Sequence, residues 1–154
     1  MRLSDYIKPE SINIDLDGED KSEIIEELAG IMSESYADAD ADRIYEAVMA
    51  RERDGSTGLE LGVAIPHAKC DAVGALSVVI GISKEGVDFE SLDGGPAHLF
   101  FMMIAPTSES GPHVQAIATI VKMIKLDSFR KRLLNASKSE DVIEAIRKVE
   151  EGDE

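Results

Sequence analysis

The chain predicts an α/β fold: one domain built as a three-layer α/β/α sandwich around a central mixed β-sheet. Three observations carry that expectation. Residues 75–82 (ALSVVIGI) and 98–105 (HLFFMMIA) are apolar almost throughout, as strands covered on both faces must be. Segments with apolar residues at helical spacing flank them. A shorter run, INIDL at 12–16, alternates apolar and polar residues like a half-buried edge strand, which makes the sheet mixed.

Taken in order, Ile12, Ile14 and Leu16 fall on one face of that first strand, and DGED at 17–20 turns the chain. Asp20 with Glu23 forms a capping pattern for a helix whose Ile24, Leu28 and Ile31 share a face and which ends near Ser33. A second helix starts near Ala41, carries Ile44, Ala47, Val48 and Arg51 on one stripe, and stops at Asp54 and Gly55. STGLELGVAIPH at 56–67 holds too much glycine for a helix and reads as a loop entering a short strand through Val63, Ala64 and Ile65. Between the two apolar strands, residues 83–96 are turn chemistry around a short edge segment. Ser110 or Gly111 caps a third helix with Pro112 in its first turn and His113, Ile117, Ile120, Val121 and Ile124 along its stripe. A short helix around Phe129 to Leu134 and an amphipathic one carrying Val142, Ile143, Ile146 and Val149 follow. The domain spans residues 1–154, with a core at about 3–148 and an acidic tail at 149–154.

Composition narrows the function classes. A formal charge of -15 opposes nucleic-acid phosphates and anionic lipid as partners. A single cysteine supplies neither a disulfide nor a zinc site by itself. No apolar run approaches the roughly 20 residues of a membrane span, so no direct membrane insertion is expected. The N-terminus lacks the pattern of a secretory signal, and a cytoplasmic location is the expectation. Nucleotide loops of the G-x-x-x-x-G-K-[ST] and G-x-G-x-x-G kinds and the G-x-S-x-G elbow are all missing from the sequence.

Four residues remain with chemistry to offer. His67 follows Pro66, whose locked φ stiffens the approach, and Gly62 and Ala64 leave room around it; it is either a surface residue or a nucleophile. His113 lies on an apolar stripe yet in a first helical turn, where backbone N–H groups favour anions and a neutral ring. It is either a core histidine satisfied by a carbonyl or a donor to an anion. Arg51 starts toward the core and either pairs with an acid or acts as an anion clamp. His67 and Cys70 form an H-x-x-C pair, short of the three or four ligands a zinc site needs. His98, at a strand end, reads as structural. Two histidines and an inward arginine with no carboxylate cluster suit phosphoryl chemistry better than hydrolysis or metal binding.

RERDGSTGLELGVAIPHA (51–68), LDGGPAHLFFMMIAP (92–106) and GPHVQAIATIVKMI (111–124), with the opening LSDYIKPESINIDLDGEDKSEIIEELAGIM (3–32), resemble the enzyme IIA domain of the fructose and mannitol class (type 2) of the bacterial phosphoenolpyruvate-dependent sugar phosphotransferase system, which includes the nitrogen-regulatory IIA proteins. The resemblance implies a single α/β domain and a phosphotransferase that works through a phosphohistidine. It implies that His67 is phosphorylated by phospho-HPr, or by that carrier's nitrogen-type paralogue, and passes the group to a IIB domain or answers to a regulatory target protein. The family's arginine sixteen residues before this histidine is Arg51 here, a charge clamp, and its second histidine forty-six residues after is His113, a stabiliser of the phosphoryl group. No cofactor or metal is implied. The family commonly has glycine, then asparagine or glutamate, then glycine before the apolar residues, where this chain has Glu60, Leu61 and Gly62, so Glu60 is not given that polar residue's role. Docking is expected on an apolar patch around His67 that includes Val63 and Ile65. The alternatives are a regulatory IIA protein and a non-catalytic module in which His67 and His113 hold an anion or metal.

Overall fold

A computed structural model describes residues 1–152. Its strands are β1 (Ile12–Asn13), β2 (Val63–Ala64), β3 (His67–Lys69), β4 (Ser77–Val87) and β5 (Ala97–Ala105). Its helices are α1 (Lys21–Ser35), α2 (Ala41–Arg53), α3 (Ser110–Ile124), α4 (Asp127–Leu134) and α5 (Ser139–Glu150). The sheet runs β1-β4-β5-β2, with β3 also on β5; β4 and β5 are antiparallel and the other pairs parallel. The mixed sheet thus comes from its central pair as much as from its edge.

Alternation along β4 and β5 sorts the core into two halves. Val78, Ile80, Ile82, Leu99, Phe101 and Met103 pack with Ile120 of α3, Phe129 and Leu133 of α4 and Ile146 of α5. Val79, Phe100, Met102 and Ile104 pack with Ile24, Ile25 and Leu28 of α1 and Ile44 and Val48 of α2. These two cores on opposite sheet faces are the expected α/β/α sandwich.

Local chemistry moves several boundaries. INIDL pairs for only two residues, because the Asn13 side chain accepts from Asp15 N at 2.8 Å and bends the strand. Ile12 and Ile14 consequently join the α3–α5 core while Leu16 crosses to the α1–α2 core. Asp20 caps α1 by accepting from Glu23 N at 2.8 Å, but Glu23 reaches back to Glu19 N rather than to Asp20. Glu109, not Ser110 or Gly111, precedes α3 and makes no side-chain capping bond, because the Pro106–Glu109 turn delivers the chain into the helix one residue early. The acidic tail also starts later than 149. Val149 packs on the core, and Glu150 ends α5 while accepting from Ser4 N at 3.0 Å and Ser4 Oγ at 2.6 Å. Asp153 and Glu154, the end of that expected tail, lie outside the described residues.

Candidate functional site

The site is built on a broken edge of the sheet. β2 and β3 lie one after the other along the same side of β5, with Val63 opposite Leu99 and His67 opposite Met103. Pro66, which has no N–H to give, stands at the break and offers its carbonyl to Met103 N at 3.0 Å. Ile65 N turns away from β5 and donates to Thr57 O at 3.1 Å. His67 therefore opens a strand of its own instead of sitting in a loop, a result of the pairing partner Met103 that no local pattern announces.

Alternation within β3 then sorts its side chains. Ala68 and Cys70 join the α1–α2 side, and Cys70 Sγ lies 3.9 Å from Arg43 O. His67 and Lys69 face α3, where Lys69 Nζ donates to Ser110 Oγ at 2.7 Å. The H-x-x-C pair is thereby split between opposite faces. Among the described residues no group of three or more His, Cys, Asp and Glu is placed to hold a metal.

His67 and His113 come together, ring centroids 5.4 Å apart and planes tilted by 58°. His67 Nδ1 lies 2.7 Å from Ile65 O, and since a carbonyl can only accept, Nδ1 carries the ring proton and Nε2 keeps a free lone pair. Burial pushes the His67 pKa below the usual 6.5; the Ile65 bond acts upward, Arg51 downward and Glu52 upward. His113 is buried, and burial, then His67 and Lys69, lower its pKa as well. Burial is thus the leading cause that favours the neutral form of that ring. His113 Nε2 is buried without a hydrogen-bond partner, so it is not satisfied by a backbone carbonyl.

Arg51 is half-buried at the end of α2, close enough to act electrostatically on His67, while its Nη1 donates to Gly55 O at 2.8 Å. The inward end of its stripe belongs to Glu52, which continues Ile44 and Val48 at four-residue steps. That carboxylate accepts from Lys21 Nζ at 2.8 Å, from Thr57 N at 3.1 Å and from Thr57 Oγ1. Sequence reasoning passed over both Glu52 and Lys69. The signals were the stripe extended by one more turn and the two-residue spacing of His67 and Lys69. His98 donates from Nδ1 to Ser83 O at 2.9 Å, a structural role. Val63 and Ile65 are buried, so they cannot form a docking patch; the exposed apolar residues nearest the site in sequence are Leu61 and Val114.

An α/β/α domain that sets one imidazole, oriented through Nδ1, beside a second with an unpaired Nε2 offers a site suited in its chemistry to phosphoryl groups. The model of the family described as phosphoenolpyruvate-dependent sugar phosphotransferase system, EIIA 2, matches residues 5–149, and the chain belongs to that family. It is 33% identical over 146 residues to the PTS system fructose-specific EIIABC component of Bacillus subtilis, covering 95% of this chain and 23% of that longer protein. The crystal structure of nitrogen regulatory protein IIA-Ntr from Neisseria meningitidis matches with a TM-score of 0.86 at 26% identity, over 94% of this chain and 98% of that one. An Escherichia coli enzyme IIA mannitol, solved in complex with phosphorylated enzyme IIB mannitol, shares the fold at a TM-score of 0.79 and 22% identity, over 92% of this chain and 96% of that one. Membership gives the chain a phosphotransferase role in general terms. Among the described residues no helix is long and apolar enough to cross a membrane.

Proposed function

We propose that this protein is a cytoplasmic phosphoryl carrier that accepts a phosphoryl group from phospho-HPr on Nε2 of His67 and passes it to a IIB domain of a fructose- or mannitol-type transporter. The observation that carries the reading is the pair of imidazoles: His67 with Nδ1 engaged and Nε2 free, and His113 with a buried, unpartnered Nε2. The Nε2 lone pair of His67 forms a P–N bond as the donor's P–N bond breaks and returns its electron pair to the donor imidazole. Positive charge that grows on the His67 ring is shared with the Ile65 carbonyl through Nδ1–H. His113 donates from Nε2 to a phosphoryl oxygen. Arg51 leaves Gly55 O to offset an added charge of about -1.5 to -2. No metal or nucleotide enters these steps.

The test is intact-mass measurement after incubation with phosphoenolpyruvate, enzyme I and HPr. One added phosphoryl group, lost in acid and absent from His67→Ala, is the expected result; acid-labile uptake by His67→Ala overturns the assignment.

A second reading is a nitrogen-regulatory IIA protein, whose phosphorylation state acts on other proteins. The likeness to the Neisseria IIA-Ntr structure across nearly the whole chain favours it. Transfer from the phosphorylated protein to a fructose- or mannitol-type IIB domain supports the transport role, and retention of the group in the presence of that domain supports the regulatory one.

A further inference from the structure

A line of hydrogen bonds runs from the end of α2 to the reacting ring. Lys21 Nζ donates to Glu52; Glu52 receives Thr57 through both its N–H and its hydroxyl; Thr57 O receives Ile65 N at 3.1 Å; and Ile65 O receives His67 Nδ1 at 2.7 Å. Both Glu52 and Thr57 are buried, so neither bond is shared with bulk water. The segment between them and His67 has little freedom of its own. Leu59 N donates to Val63 O at 2.8 Å, and a side chain at Gly58 would meet Phe89 O and the Ser91 backbone at 2.9 Å.

We propose that Glu52 is a positioning residue for His67: anchored by Lys21, it holds Thr57, and through Thr57 it sets the Ile65 carbonyl that dictates which ring nitrogen is free. A carboxylate suits the task because it accepts from two Thr57 donors and a lysine at once, which a neutral amide oxygen does less well. Its charge has a second effect. Glu52 and Arg51, neighbours on α2, act on the His67 proton affinity in opposite senses, with His113 facing the ring from α3 and Lys69 on its own strand facing His113. Glu52 thereby sustains the basicity of a nucleophile that burial weakens. The value of a free Nε2 rests on the carrier reading above; the positioning itself does not.

The experiment is ¹⁵N NMR titration of the histidine rings in the full chain, for the wild type, Glu52→Gln, Thr57→Val and Thr57→Ser. In Glu52→Gln the His67 titration midpoint is expected to fall and its ring to populate both neutral tautomers. Thr57→Val is expected to mix the tautomers, and Thr57→Ser to restore the single Nδ1–H form. His98, bonded to Ser83 O, serves as the internal control for the tautomer signature. Phosphoryl uptake in Glu52→Gln is expected to slow by roughly 10-fold or more in the maximal rate, with half-saturation by the donor unchanged. If folded Glu52→Gln and Thr57→Val keep the wild-type midpoint and tautomer of His67, the proposal is overturned. Should Glu52→Gln fail to fold, Thr57→Val decides, since it leaves the Lys21–Glu52 pair in place. A wild-type chain that takes up no phosphoryl group defeats the carrier reading and leaves the ring titration as the judge of Glu52.

Discussion

His67 and His113 face one another across the junction of β3 and α3, ring centroids 5.4 Å apart, with burial acting against a proton on either. Both pKa values lie below 6.5 in the folded protein, whereas the unfolded chain titrates near that value. The unfolded state therefore binds more protons just below pH 6.5, and stability must drop as pH falls through this window and be flat above it. Urea midpoints measured between about pH 5 and 8 are expected to fall on the acid side. His113→Gln should remove part of that slope. Phosphoryl uptake should persist to lower pH than a fully exposed imidazole would allow, because burial favours the neutral ring of His67.

Arg51 makes a single exposed bond to the Gly55 carbonyl while sitting within electrostatic range of His67. Arg51→Gln is expected to cost about 1 kcal/mol of stability or less, as for any exposed neutral-acceptor bond. Phosphoryl uptake should slow by on the order of 10²-fold, the usual consequence of removing one group that stabilises developing charge. Arg51→Lys should recover only part of the rate, since an ammonium cannot make the two parallel bonds of a guanidinium. Rapid-quench sampling with intact-mass readout separates the rate from urea midpoints that report stability.

The layers and most helices were legible because β4, β5, α1, α2 and α5 announce themselves by period: apolar runs for buried strands, 3.6-residue stripes for helices. That the Ile65 carbonyl is the acceptor for His67 Nδ1 was not legible. It depends on β3, three residues whose strand character comes from Met103, Ile104 and Ala105 across the sheet and from nothing in HAK. Leu16 was misplaced for a similar reason, since one side-chain bond from Asn13 ended the alternation that had put Ile12, Ile14 and Leu16 together. Glu52 escaped because an acidic residue on a stripe reads as its edge. Only the tertiary partners Lys21 and Thr57 make it an inward residue.

Leu61, where the chain departs from its family's pattern, has φ of +64° and is followed by Gly62 at +76°. Two successive left-handed residues suit glycine and asparagine, and a leucine there carries a steric penalty of roughly 1–2 kcal/mol. The side chain is 52% exposed and recovers little by packing. Leu61→Asn is accordingly expected to raise stability by about 0.5–1 kcal/mol, seen as a higher urea midpoint at unchanged slope. A lower midpoint would mean that the leucine packs in solution against a surface it does not touch here.

Gly81 marks where α1 approaches the sheet. A Cβ at this position in β4 would lie 2.6 Å from Leu16 Cδ1 and 2.8 Å from Leu28 Cδ2, closer than any real contact. Leu16 and Leu28 are both buried, so their methyl ends must repack within the core, and Gly81→Ala should destabilise by about 1–3 kcal/mol through overpacking. The strain falls on the α1–α2 core, at one remove from the histidines on β3 and α3. The folded fraction of Gly81→Ala should therefore take up phosphate at close to the wild-type rate while its thermal midpoint falls. A loss of uptake as large as that of Arg51→Gln in fully folded protein would show that the seating of α1 is transmitted to His67, most directly through Lys21 and Glu52.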